Sequence, residues 1–365
     1  MFVKRHDASS HESLKIMETV VRIVNVDFLA ILWFGLWALL WIIYFTLDAY
    51  TLGIGMLYPF IQKHEHEGRQ LQEAVGPFWN GNEVWLITAG GATFAAFPLV
   101  YAEMFSMLYV PLFLILFGLF YRAIGLEFMD KRPYFFWRKL WMWAFFGGSV
   151  IVTFLLGIAF ANMFYGFPFT AMENHVNLMQ LLHSYGLLGG LTFVSLALLS
   201  GLLWTNVKVS GALQTRTRNV AIYFWLVALS LFSLWMVGTV NQTTLFNNYN
   251  RFPLLYGVPV LAFISLLLVS WFIIKNRGML AFLSVSLTIV LTFATGFIGM
   301  FPRMLISRLD PSASITLYEA HASMLTLTIM LIVAGVFVPI VVAYQLWAYR
   351  LFSQKIDPDE AKGYS

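Results

Sequence analysis

Cysteine is absent from all 365 residues of this chain, and only 11% of them are charged. Without thiols there is no disulfide, no iron–sulfur cluster, no thiolate-ligated haem and no Cys-based zinc site. So little charge, beside 60% hydrophobic residues and a mean hydropathy of +0.76, excludes a soluble domain of this size. What remains is a multi-spanning membrane protein. Its apolar runs are continuous rather than alternating, which argues against a β-barrel. The N-terminus is not expected to be a cleavable signal. Lys4, Arg5, His6 and Asp7 precede a polar stretch, and the first apolar run lacks a small-residue cleavage site. The net charge of +4 reads as basic cytoplasmic loops, not as a nucleic-acid surface.

What is present is apolar and aromatic: rings make up 18% of the chain, with 35 Phe. A span needs about 20 mostly apolar residues. Nine runs qualify, at about 28–48, 82–101, 104–125, 140–164, 186–206, 220–240, 257–274, 279–301 and 324–348. The expected fold is all-α and polytopic, with about nine transmembrane helices. The basic residues set its sense. Alternate loops and the C-terminal tail carry 15 of them, from Lys63 and Arg69 through Arg122, Lys131 and Arg138 to Lys362. The opposite loops carry Arg251, Arg303 and Arg308, and the tail before the first run is an exception, with Lys4, Arg5, Lys15 and Arg22 on that same side. The 15-residue side is expected to be cytoplasmic, with the N-terminus outside and the C-terminus inside. Residues 1–27 form a tail in which 14–24 could be an interfacial amphipathic helix or a poorly ordered extension. Residues 28–352 form the membrane domain, and 353–365 a cytoplasmic tail. Trp33, Trp37, Trp41, Trp137, Trp141 and Trp143 are expected partly at the interfaces. Pro259 and Pro339 mark a helix start and a kink.

Acids inside or beside spans are costly, so each is a candidate. Asp48 ends the first run, in TLDAYTLGIGML. Asn80, Asn82 and Glu83 open the second, in WNGNEVWLITAGGATFAAFPLVYA. Glu127 and Asp130 end the third, in YRAIGLEFMDK. Asp48 and Glu83 border deeply apolar stretches and are expected to relay protons. Glu127 and Asp130 read as interfacial acids paired with Arg122, Lys131 or Arg138. Glu103, between the second and third runs, is expected to cap the helix that follows it. The small-residue run Ala89–Gly90–Gly91–Ala92 is expected to admit a closely packed helix. No histidine falls within a span. His6, His11, His64, His66 and His175 lie in tail or loops, and His183 and His321 just before the fifth and ninth runs. The chain is therefore expected to bind no haem and no metal through its own side chains. His64, Glu65, His66 and Glu67 read as a solvated loop.

The quoted block at 79–102 resembles subunit II of the cytochrome bd family of quinol oxidases. Supporting stretches are LDAYTLGIGML at 47–57, YRAIGLEF at 121–128, LLGGLTFVSLALLSG at 187–201, GFIGMFPRM at 296–304 and the long stretch at 314–352. The resemblance implies two four-helix bundles plus a peripheral helix. It implies a haem-free subunit supporting a subunit I that holds b-type and d-type haems and oxidises quinol, with polar residues contributed to a proton path from the cytoplasm. Expected partners are that subunit I, quinone, membrane lipid and small accessory subunits, in a bacterial or archaeal plasma membrane. Family members read like T-x-D-G-F-D-x-G and W-D-G-N at the first two motifs. Here Asp48 is kept, Thr51 replaces the second acid, and Asn80 replaces the acid after Trp79. Thr and Asn bridge waters but store no proton. Glu83 lies one turn on and could take over. The readings from other classes are a stand-alone transporter and a haem-binding membrane cytochrome.

Overall fold

The structure is a computed structural model that describes residues 27–171 and 176–363, the first helix only from Asp27 onward; the expected amphipathic stretch at 14–24, with His6, His11 and His175, lies outside them. Long apolar runs with few helix breakers become long helices, whose backbone groups must all be satisfied internally in a membrane. In chain order they are α1 (Arg5–Ile61), α2 (Glu65–Val75), α3 (Trp79–Ala96), α4 (Pro98–Met107), α5 (Tyr109–Phe128), α6 (Phe135–Tyr165), α7 (Leu178–Leu181), α8 (Ser184–Lys208), α9 (Ala212–Gln242), α10 (Phe246–Arg251), α11 (Gly257–Ile274), α12 (Gly278–Met300), α13 (Leu317–Ala320) and α14 (Met324–Leu351). A short antiparallel pair, β1 (Arg303–Leu305) and β2 (Ile315–Thr316), sits in the loop before α13. Among the described residues, 8 helices are long and apolar enough to cross a membrane. α3, the counterpart of the second apolar run, is not one of these; its 18 residues extend about 27 Å. Its opening Asn80, Asn82 and Glu83 make it less apolar than the others.

The helices form two groups of four. α1, α3, α5 and α6 pack together, as do α8, α9, α11 and α12. α1 and α6 meet α8, and α1 meets α12, which joins the groups. α14 lies outside both, against α1 and α3, and most of its apolar surface is exposed. This is the expected arrangement of two bundles and a peripheral helix.

The groups are held at points where side chains vanish. A Cβ on Gly53 of α1 would lie 1.9 Å from the Ala197 carbonyl oxygen of α8, and one on Gly148 of α6 would lie 2.4 Å from that of Gly118 on α5. Small residues at such crossings let backbones touch. Within this chain, the close contact expected along Ala89–Gly90–Gly91–Ala92 is not made at its two glycines. A Cβ on Gly90 or Gly91 would meet nothing within 4 Å. The two glycines instead line an apolar crevice of about 630 Å³ between α3, α5 and α6.

Three further expectations change. The first helix does not end at Asp48 but continues to Ile61, so Asp48 lies deep within it. The second run is not one helix. Pro98, which has no amide hydrogen to donate, starts a new helix after Ala96. Trp33, Trp37 and Trp41 are buried core residues rather than interfacial ones. Trp37 donates to the Thr93 hydroxyl at 2.8 Å, tying α1 to α3.

One end of the molecule collects the basic loops. Arg216 of α9 donates to the Ile61 carbonyl, Arg138 of α6 pairs with Glu65 of α2, and Arg218 reaches Asn276 beyond α11. The opposite end carries Arg303 and Arg308 beside the short strands.

Candidate functional site

Four polar side chains from three helices meet in the first bundle. Arg122 of α5 is 1% exposed and Asp48 of α1 is 0% exposed. Their pairing is bidentate: Nη1 donates to Asp48 Oδ2 at 2.8 Å and Nη2 to Asp48 Oδ1 at 2.8 Å. Nη1 also donates to Glu83 Oε1 of α3 at 2.8 Å, and Nη2 to Thr51 Oγ1 at 2.6 Å. Thr51 in turn donates to its neighbour Asp48. The planar fork of a guanidinium suits such a shared site, since it can serve two carboxylates in one plane. Glu83 is the outermost member, with 19% of its side chain exposed.

The helix geometry explains the meeting. Asp48 and Thr51 are three apart on α1 and share a face. Gly148 and Gly118 bring α6 against α5 just beside Arg122, where a Cβ on Gly148 would lie 2.6 Å from the Arg122 amide nitrogen. Arg122 was expected in a basic loop, as a partner for Glu127 or Asp130; it is instead the centre of the buried cluster. Asp130 pairs with Arg138 at 2.9 Å, and Glu127 lies half-buried near the end of α5, outside the cluster. The sequence did hold a signal for Arg122, because it falls inside the third apolar run, at about 104–125, rather than after it.

Asn80 points away. It is exposed, whereas its neighbour Asn82 is buried and enters a second polar group. Asn82 Nδ2 donates to the Leu47 carbonyl at 2.9 Å and to Tyr50 Oη at 3.1 Å. Tyr50 and Tyr349 of α14 share a hydrogen bond of 2.7 Å, and Gln345 accepts from Trp85 Nε1 at 2.8 Å. This group lies on the α14 side of α1 and fastens the peripheral helix to the bundle. Of the four expected members, Asp48, Thr51 and Glu83 are together and Asn80 is not.

Glu103 lies inside α4, not in the first turn of α5, so it does not cap that helix. Glu65 and Glu67 lie on α2, not in a solvated loop, and both are taken up by arginines. Among the described residues no group of three or more His, Asp or Glu side chains could hold a metal ion.

The two histidines beside spans are structural. His183 caps α8: its Nδ1 accepts from the Gly186 amide at 3.3 Å, and its Nε2 bonds Asn162 Oδ1 at 3.0 Å. Burial pushes its imidazole below the ordinary range, and Arg308 adds to this, which keeps the ring neutral for capping. Both ring nitrogens are engaged, so His183 does not fit as an axial haem ligand. His321 bonds the Ala322 carbonyl through Nδ1 at 2.8 Å, in the turn before α14.

The comparisons agree along nearly the whole chain. The family described as Cytochrome bd terminal oxidase subunit II matches residues 29–352. The cytochrome bd-I ubiquinol oxidase subunit 2 of Escherichia coli K12 is 34% identical over 358 residues, covering 89% of this chain and 94% of that one. The cytochrome bd ubiquinol oxidase subunit 2 of Bacillus subtilis is 34% identical over 334 residues, covering 91% and 98%. A chain in the structure of the bd oxidase from Geobacillus thermodenitrificans superposes with a TM-score of 0.73 at 16% identity, covering 89% of this chain and 98% of that one. A protein matched so continuously, in both sequence and helix arrangement, belongs to the cytochrome bd terminal oxidase subunit II family.

Proposed function

We propose that this chain, a subunit of a bd-type quinol oxidase complex, handles protons for oxygen reduction through Glu83, with Asp48 and Arg122 as its fixed counter-charge. The observation that carries this reading is the stoichiometry of the cluster. One guanidinium faces two carboxylates, and the three are neutral together only when one carboxylate holds a proton. Asp48 accepts from both terminal nitrogens of Arg122 and from Thr51. Glu83 has a single contact to Arg122 and the only appreciable exposure of the three. Glu83 is therefore the member that takes up and gives back the proton, and Asp48 stays paired.

The haem-bearing partner is subunit I, with b-type and d-type haems that pass electrons from quinol to oxygen. With the haems read as held by that subunit, the part of this chain is support and proton supply. We read the basic end of the molecule as cytoplasmic from its loop charges, with the N-terminus outside and the C-terminus inside, and the protein as one of the inner membrane.

The test is Glu83→Gln in the assembled complex, which keeps size and hydrogen bonding but removes the titratable proton. Oxygen consumption and proton uptake should fall several-fold at unchanged haem content. Wild-type turnover with proton uptake intact would defeat the reading.

A further inference from the structure

The cluster has a polar extension that the sequence motifs do not mark. On α1, Tyr44, Asp48, Thr51, Gly55 and Tyr58 recur at alternating steps of four and three, so they form one stripe along the helix. Gln62 continues the spacing one residue beyond the helix end. From Asp48 to Tyr58 the stripe runs about 15 Å toward the basic end. Every member from Tyr44 to Tyr58 is buried. At Gly55 the missing side chain is replaced by a hydroxyl from α6: a Cβ there would lie 2.0 Å from Ser149 Oγ. Tyr58 donates to the Gly68 carbonyl of α2 at 3.2 Å, hydrogen-bonds Gln72 and feels the charge of Asp130.

Asp130 sits where the stripe reaches the surface. Its Oδ1 pairs with Arg138 at 2.9 Å, while its Oδ2 is buried with no hydrogen-bond partner among the described residues. That oxygen and the Gln72 amide both border Gly363. A point beside Gly363 lies 2.9 Å from Gln72 Oε1 and 3.2 Å from Asp130 Oδ2. A buried carboxylate oxygen left without a donor is unusual and points to a ligand that visits it.

We propose that Asp130 is the proton inlet of this subunit, and that protons pass from it by Gln72 and Tyr58, then by the Ser149 hydroxyl at Gly55, to Thr51 and the Arg122 cluster. This rests on the reading that Glu83 handles protons. Only H⁺ moves: each hydroxyl or bridging water gives one proton forward, accepts one from behind and returns to its starting state. Phe145 stands at the join of the two halves, with its ring 5.7 Å from that of Tyr58 and 3.3 Å from the position of a Cβ on Gly55. It has to swing aside for a water to bridge Tyr58 and Ser149.

The experiment uses the complete oxidase in liposomes, with oxygen consumption, proton uptake and the solvent deuterium isotope effect as readouts. Asp130→Asn should slow proton uptake several-fold and enlarge the isotope effect at normal haem content. Asp130→Glu should restore the rate. Tyr58→Phe, which keeps the ring packing, should slow uptake as well. Glu65→Gln removes the other carboxylate of Arg138 and should leave turnover unchanged. Equal losses in Asp130→Asn and Glu65→Gln would mean that Asp130 merely anchors Arg138, and would overturn the proposal. So would wild-type uptake in both Asp130→Asn and Tyr58→Phe. If Glu83→Gln is slow in that case, the inlet lies elsewhere and the cluster reading stands; if Glu83→Gln is also unaffected, both fall.

Discussion

Arg122 holds one positive charge against two acids in a place with almost no water, and its two partners are not equivalent. Asp48 takes both terminal nitrogens, so removing its charge breaks the bidentate pair and leaves a buried guanidinium with one monodentate contact. Breaking a buried ion pair from one side costs about 3–5 kcal/mol, because the orphaned charge stays desolvated. Glu83 stays as a counter-charge in Asp48→Asn, so that variant is expected to lose less than this, yet more than Glu83→Gln, which leaves the bidentate pair whole. Thermal unfolding of the two purified variants checks the order. A Glu83→Gln complex less stable than Asp48→Asn would reverse the roles assigned here. The two acids were legible from the sequence as carboxylates beside apolar runs. Their common partner was not, because it lies 74 residues from Asp48 and seemed to belong to the basic loop that follows it. Only packing in three dimensions shows which of several nearby arginines turns inward.

Among the helices, glycine decides which pairs touch. Gly148 has backbone on its open side, so Gly148→Ala forces α5 and α6 apart and should cost about 1–3 kcal/mol. Gly90→Ala meets nothing within 4 Å and should leave stability and assembly of the complex unchanged, as read by yield and thermal unfolding. Equal losses at the two positions would contradict the packing described. Sequence pattern distinguished helices from loops well here, since a membrane rewards long continuous apolar runs. It placed their ends poorly. Asp48 looks like a boundary because a charge is costly in a span, yet α1 runs on to Ile61 since Arg122 neutralises that charge from another helix. The Gly90–Gly91 pair shows the converse limit. Small residues permit close contact without requiring it, and which permitted contact forms depends on the shape of the whole bundle.

At the scale of the whole molecule, the two bundles are clamped at the basic end by α2 and the C-terminal segment. Lys208 of α8 is buried and donates to the Phe352 and Gln354 carbonyls, and Ile356 bridges to Val209 beside it. Gln70 of α2 donates to the Ile356 carbonyl at 2.8 Å, and Glu73 accepts from the Lys362 and Gly363 amides. The segment expected as a tail is thus fastened to α8 and α2, and it holds the basic-end terminus of the otherwise exposed α14. Glu67 is the charged rivet of this layer. It is 1% exposed, accepts from the Lys63 amide at 2.6 Å and pairs with Arg216 of α9 at 2.8 Å. Burial works against its ionisation, but the bonds from Arg216 and from the Lys63 and His64 amides outweigh it and hold the carboxyl below its ordinary value of 4.5. A carboxyl that binds its proton less readily in the folded state contributes stability above its unfolded value, and loses it as pH falls through the folded one. The complex should accordingly lose thermal stability on acidification below about pH 4.5, through the α2–α9 contact first. Glu67→Gln cannot titrate, so it should start less stable at neutral pH and show a flatter decline with acid. Unfolding temperatures of the two proteins measured from pH 7 down to about pH 3 test this, and parallel curves would show that the acid sensitivity belongs to other groups.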